Sequence, residues 1–162
     1  MAAVDYFLKI DGIDGESVDD KHAGAIEPLS FSWGLSQAAS FATGGGAGAG
    51  KVQFQDFHFT SNTSKASPKL MLACASGVHI KKAELFCRKA GGDGPGVEFM
   101  KLSFEDVLIS SYQNGGHGNE SPTESISFAF AKVEFAFAPQ RADGGLGAAV
   151  TAGWNVKANQ KV

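Results

Sequence analysis

Two stretches of this 162-residue chain alternate large apolar and polar residues, then change phase partway along with no turn residue at the change. In the first, Val52 and Phe54 precede Phe57 and Phe59, so the apolar parity flips between Gln55 and Asp56. In the second, Ile126, Phe128 and Phe130 precede Val133, Phe135 and Phe137. Side chains on a strand point to alternate faces. A phase change inside a continuous strand therefore demands a bulge, a tight bend, or two halves that face different partners. Strands of that kind close sheets on themselves. The expectation is a mainly β fold: a small β-barrel of bent antiparallel strands.

The glycines are placed accordingly. Fifteen of the 21 fall in four clusters, within residues 44–50, 91–96, 115–118 and 144–147, and the segments between them are rich in Phe, Val and Ile. Clusters of that kind read as loops separating strands. Strands are predicted over residues 4–10, 29–37, 51–60, 79–89, 96–112 (as one strand or two), 125–138 and 152–158. One short helix is predicted beside the barrel. Ser67 is its N-cap, Pro68 its first position, Leu70, Met71, Cys74 and Ala75 its apolar face, and Gly77 its left-handed stop. No repeat and no linker divides the chain, so residues 1–162 are expected to form a single domain.

Charge and hydropathy remove several functions. With 14 Lys plus Arg against 17 Asp plus Glu, there is no basic footprint for nucleic acid. The longest apolar run, residues 70–75, is far short of a membrane span, and Asp5, Lys9, Asp11 and Asp14 interrupt any secretory apolar region. Synthesis in the cytoplasm with no signal peptide and no membrane insertion is the expectation. Cys74 and Cys87 lie among apolar neighbours and read as reduced core residues.

Candidate chemistry is sparse. Gly45-Gly46-Ala47-Gly48-Ala49-Gly50-Lys51 has the spacing of a phosphate-binding loop, in which backbone N–H groups and a helix N-terminus wrap phosphates. Such a loop needs Ser or Thr next, to hold magnesium, and a helix behind it; here Val52 opens a strand pattern. A nucleotide-binding enzyme using Lys51 stays as an alternative only. His22, His58, His79 and His117 show no metal-ligand spacing, and the acids from Asp11 to Asp20 lack the alternation of a calcium loop and read as solvated. No G-x-S-x-G elbow is present. Neither catalysis nor a cofactor is expected.

One strand says more. In residues 29–37 one face is Leu29, Phe31, Trp33 and Leu35, expected to be core. The other is Ser30, Ser32, Gly34 and Ser36, small and uncharged where a solvent face normally carries Lys and Glu. That face reads as the smooth wall of a cavity or channel.

A set of ordered pieces resembles the haemolysin-coregulated proteins (Hcp), tube components of the bacterial type VI secretion system. They are residues 3–10 (AVDYFLKI), Gly15-Glu16-Ser17, residues 31–37 (FSWGLSQ), the glycine-rich loop 44–50 with Lys51-Val52 and Asp56, the helix 67–77, Arg88-Lys89-Ala90-Gly91-Gly92, and Gly153-Trp154-Asn155. The resemblance implies a homo-hexameric ring. Rings of the family stack head to tail into a hollow tube, carry effector proteins in the lumen, work with sheath, spike and baseplate components, and are themselves secreted. It implies no enzymatic activity and, here, no C-terminal toxin extension. On this basis Ser30, Ser32, Gly34 and Ser36 are expected to face the lumen and touch cargo. The loop with Phe41, Thr43, Gly44, Gly45, Gly46, Ala47, Gly48, Ala49 and Gly50 is expected to contact the next ring. Some of the Phe residues on the phase-changing strands are expected at subunit interfaces. A phage-tail-like tube protein of another contractile machine is the nearest alternative.

Overall fold

The computed structural model describes residues 4–38, 50–89 and 96–162. The elements run β1 (Val4–Ile10), β2 (Ser30–Ser36), β3 (Gln53–Asn62), α1 (Ser67–Ser76), β4 (His79–Lys89), β5 (Val97–Gly115), β6 (Thr123–Phe137), β7 (Val150–Asn155) and β8 (Gln160–Lys161). β1 and β4 have the expected bounds. β5 is one continuous strand of 19 residues, and β8 is a strand that alternation in so short a stretch could not announce. Every pairing is antiparallel, in the order β1-β4-β5-β6-β3-β2, with β7 on β6 and β8 on β7. β6 is the branch point: its first part pairs β3 as far as Phe128, and its last part, from Lys132, pairs β7.

The phase changes of β4, β5 and β6 lie on one line across the sheet, and that of β3 lies where its pairing with β6 ends. On β3, Asp56 and Phe57 together oppose Trp33 of β2, a bulge at the expected place. On β4, β5 and β6 the ladder keeps one register on both sides of the line, Lys82–Glu105–Lys132 below and Ile80–Val107–Phe130 above, but skips Lys81, Asp106 and Ala131 between them. One skipped residue on each strand reverses the parity of all three together. Asp106 makes the turn with φ 53°, a left-handed conformation that Asp tolerates better than most residues. Because parity reverses where the sheet bends, the apolar side stays inward in both halves. Ala83, Leu85, Leu102, Phe104 and Val133 on one side of the crease, and Val107, Ile109, Ile126, Phe128 and Phe57 on the other, are all in one core.

Four rings centre that core. Phe57, Phe59, Phe104 and Phe128 are fully buried, with Phe57 at 5.1 Å from Phe104 and 4.9 Å from Phe128 between ring centroids. Aromatic pairs at such spacing add about 0.5–1.5 kcal/mol each beyond their buried area. The open path closes through residues before β2. Leu8 and Ile26 exchange both backbone hydrogen bonds, at 2.7 and 2.8 Å, Leu29 N–H donates to Thr60 at 2.7 Å, and Tyr6 meets Phe31 edge-on at 5.3 Å. β1 and β2, the two ends of the sheet, are thereby brought together.

The helix departs from expectation at its start and on its apolar face. The N-cap is Ala66, without a side-chain cap. Ser67 is the first helical residue, and its buried hydroxyl accepts the Ser64 N–H at 2.9 Å. Leu70 and Ala73 are the buried apolar residues, Cys74 is half-buried, and Met71 and Ala75 are exposed, because α1 leans on β5 by a narrower stripe than its composition suggested. Gly77 closes the helix in the left-handed region (φ 66°), its N–H donating to Ala73 at 3.1 Å, as the sequence predicts. Glycine is also obligatory at Gly15, where a Cβ would lie 2.6 Å from the Ala25 carbonyl oxygen.

Candidate functional site

The serine face of β2 is one edge of a larger surface. Ser30, Ser32 and Ser36 are exposed and Gly34 half-buried, with Thr60, His58, Gln53 and Gln55 opposite them on β3. The rows continue across the sheet: Ser30–Thr60–Ser125–Gln113 and, one step down, Ser32–His58–Ser127–Ser111. Neighbours bond one another. Ser30 Oγ lies 2.6 Å from Thr60 Oγ1, and His58 Nδ1 lies 2.9 Å from Ser127 Oγ. These rows of Ser, Thr, Gln and His carry no Lys, Arg, Asp or Glu. Asp56, at the β3 bulge, is the first acid met, and it accepts a 2.5 Å hydrogen bond from Ser110.

Below the crease the outward chemistry changes. Lys82, Glu105 and Lys132 form one row of β4, β5 and β6, and Glu84, Ser103 and Glu134 the next. Lys101 reaches Glu84 at 2.8 Å, Lys82 reaches the same carboxylate at 3.5 Å, and Lys132 reaches Glu105 at 3.5 Å. Partial burial would raise the Glu84 carboxyl, but the bonded Lys101 ammonium, with Lys82 behind it, holds it below the ordinary carboxylate value. A shallow cavity of about 270 Å³ lies among these side chains. The crease therefore separates two walls on the outer surface, one neutral and one charged.

The acidic segment before β2 is not wholly solvated, which corrects the sequence reading. Asp19 grips Arg88 of β4 with two hydrogen bonds, at 2.7 and 3.1 Å. The bonded guanidinium holds the Asp19 carboxyl at about 2, below its ordinary 3.8. Next to it, buried His22 is stacked against Phe7 (4.7 Å) and Phe86 (4.6 Å), and its Nε2 lies 2.5 Å from Glu98. The clasp fastens this segment to the charged side of the barrel. Its partners are about 70 residues apart in sequence, and Arg88 occupies an ordinary outward position of its strand, so no local pattern announced it.

The other predicted positions divide plainly. Of the loop 41–50, only Gly50 is among the described residues; Phe41, Thr43, Gly44, Gly45, Gly46, Ala47, Gly48 and Ala49 lie outside them. Lys51 is exposed and followed by β3 instead of a helix, which removes the helix dipole a phosphate loop requires. Phe31 and Trp33 are half-buried against the core as expected, but Leu29 and Leu35 are 57% and 54% exposed, because β2 is a margin of the sheet and no described residue covers its two ends. Beyond the crease on β6, Phe135 and Phe137 remain partly open. Cys87 is buried and its thiol is pushed up to about 12 by that burial; Cys74 is half-buried, and neither is bonded to another sulfur.

Comparison with known proteins gives these features a family. Residues 7–137 match the family described as "Type VI secretion system effector, Hcp". Over 159 residues the chain is 46% identical to Protein hcp1 of Pseudomonas aeruginosa, covering 97% of this chain and 98% of that one. Among solved structures, Hcp1 from Salmonella typhimurium is 36% identical with a TM-score of 0.83, covering 99% of this chain and 100% of its own. A structure described as a type six secretion system protein is 34% identical with a TM-score of 0.91 over the same shares. The bent antiparallel sheet with one short helix is thus the Hcp fold, and the chain belongs to the Hcp family of type VI secretion proteins, which are structural secreted proteins and not enzymes.

Proposed function

We propose that this chain is the protomer of a hollow secretion tube, in which six copies close a ring, rings stack head to tail, and the neutral wall faces the lumen. One observation carries the reading: a polar surface four strands wide, from β2 through β3 and β6 to β5, that is built without charge. An ordinary solvated sheet face mixes Lys and Glu, as this protein's other wall does. Short neutral side chains present hydrogen-bonding groups of both kinds without favouring either sign of charge. Effector proteins of differing composition can slide along or dock on such a surface. Ser30, Ser32, Gly34 and Ser36 would touch cargo from one margin of it.

The strand directions favour a stacking axis along the barrel. Lys89, Val97, Phe137, Gln53 and Ser36 mark one end of the barrel, and Ile10, His79, Gly115, Asn62 and Ser30 the other. Three of the four glycine clusters lie in segments that leave from the first end, including the loop with Phe41, Thr43 and Gly44 to Gly50. Glycine and alanine there let backbones of consecutive rings approach closely. The protein would be assembled in the bacterial cytoplasm and expelled with the tube, with sheath, spike and baseplate components as its outer and end partners. Negative-stain microscopy of the purified protein tests the core of this: rings with a central hole are expected, and isolated monomers at every concentration would overturn it.

A further inference from the structure

We infer that His58 gives the neutral wall a carboxylate-binding point, one per protomer, that acid switches on, so that the tube holds cargo with acidic segments at low pH and releases it near neutrality. The inference rests on the lumen reading above and says which residue lets the wall choose.

The four histidines of the chain differ in their company. Nε2 of His22 lies 2.5 Å from Glu98, Nδ1 of His79 lies 2.6 Å from Asp106, and Nε2 of His117 lies 3.3 Å from Glu120. His58 meets no carboxylate within that range among the described residues. Its side-chain bond is instead from Nδ1 to the Ser127 hydroxyl, at 2.9 Å. That bond holds the half-buried ring on the wall between Ser32 of β2 and Ser127 of β6. Nε2 is left without a partner among the described residues and open to solvent.

Histidine is the side chain whose charge ordinarily changes between pH 5 and 8. The Ser127 hydroxyl suits both states, since it can donate to a bare Nδ1 and accept from a protonated one. The groups facing His58 on this wall are the hydroxyls of Ser32, Thr60 and Ser127 and a single charge, Asp56, two residues along β3. Asp56 makes no ion pair with His58. Its carboxylate accepts from Ser110 of β5, on the far side of β6. An imidazolium at His58 therefore has a hydroxyl and no counter-ion within hydrogen-bond reach, and its Nε2–H donates outward. A ligand carboxylate completes it, and a ligand ammonium is repelled. The other three histidines have their cations answered inside the fold. In a ring of six, acid sets six positive charges beside six Asp56 carboxylates. The wall then ceases to repel acidic cargo and gains a charged donor for it.

Fluorescent oligoglutamate and oligolysine peptides test this on the purified full chain at about pH 5.5 and about pH 7.5, with ultracentrifugation reporting assembly at each pH. Oligoglutamate is expected to bind at least about fivefold more tightly at the lower pH, the effect of one unit charge at close range in water, and oligolysine to weaken. His58→Gln is expected to remove the difference, and His117→Gln to behave as wild type. His58→Lys is expected to bind oligoglutamate tightly at both pH values, a gain that a misfolded variant could not show. Rings whose binding ignores pH in the wild type, keeps its pH dependence in His58→Gln, or is not strengthened near neutrality in His58→Lys overturn the inference and leave the ring reading intact. A chain that is monomeric at both pH values overturns the ring reading and the inference with it.

Discussion

Asp106 and Ala131 stand at the same level of neighbouring strands, between the paired residues Glu105–Lys132 and Val107–Phe130, yet the ladder passes over both. Their freed groups are taken up from the same side. The Ala131 carbonyl accepts the Val156 N–H at 2.7 Å, and the Asp106 carboxylate takes His79 Nδ1 at 2.6 Å and Lys157 Nζ at 2.9 Å. The segment after β7 thus stitches the crease, which is what lets one sheet turn a neutral wall one way and a charged wall another.

The stitch makes Asp106 sensitive to shape more than to charge. Its φ of 53° is costly for a β-branched residue and cheap for Gly or Asn. Asp106→Val is expected to lower the thermal midpoint by at least about 3 °C, and Asp106→Asn or Asp106→Gly by less than half as much. Calorimetry on the three variants checks the order; Val as mild as Gly would remove the strain argument.

The Asp19–Arg88 clasp is expected to weaken in acid. A carboxyl held at about 2 in the fold, against an ordinary 3.8, stabilises the native state fully above the ordinary value and loses that contribution as pH falls through about 2. Solvent screening limits it to about 1 kcal/mol. Urea midpoints of wild type and Asp19→Asn should differ at pH 6 and converge between pH 4 and 2. A gap independent of pH would show that the carboxylate charge is not what holds the segment.

Glu124 is buried at 2% exposure, accepting from Tyr112 O–H at 2.8 Å and Ser61 O–H at 3.2 Å, with no ion-pair partner among the described residues. Burial and the adjacent carboxylate both raise the Tyr112 phenol. Glu124→Ala strips a buried donor of its acceptor and is expected to cost about 2–3 kcal/mol, whereas Glu124→Gln keeps an acceptor oxygen and should cost under about 1 kcal/mol. Chemical denaturation separates the two, and equal losses would count against the hydrogen-bond account.

Much of this was legible in the sequence, within a definite limit. The phase changes at Phe54/Phe57 and Phe130/Val133 announced the bend, and the same signature at Ile80/Ala83 and Phe104/Val107 was there to be read. Alternation could also show that the face holding Trp33 and Leu35 is apolar. It could not show what covers that face. Whether β3 follows β6 to the end or yields to β7 depends on contacts far apart in sequence, so Leu35 looked like core and is half open. The neutral wall was found only at β2 because its other rows come from three distant strands that register alone brings together.

The glycine-rich loop can be tested without its conformation. Proline fixes φ and removes a backbone donor, so it stiffens a segment whose composition favours adaptable backbone. Ala47→Pro is expected to leave rings intact while shortening or abolishing tubes, as counted by electron microscopy at matched concentrations. Tubes of normal length in that variant would remove the loop from the ring-to-ring contact.

The neutral wall yields the sharpest functional contrast, because the crease supplies an internal control. Ser32 is exposed at the β2 margin of the neutral rows, and Ser103 lies on the charged wall between Glu84 and Glu134. Six arginines around a lumen would project long like charges into the path of cargo, while an arginine at Ser103 meets carboxylates already present. Ser32→Arg and Ser32→Gln are expected to leave ring formation unchanged and to abolish co-purification and secretion of at least one effector. Ser103→Arg should alter neither. Cargo export that survives at Ser32 and fails at Ser103 would reverse the assignment of the two walls, and survival in both would take the lumen away from this surface.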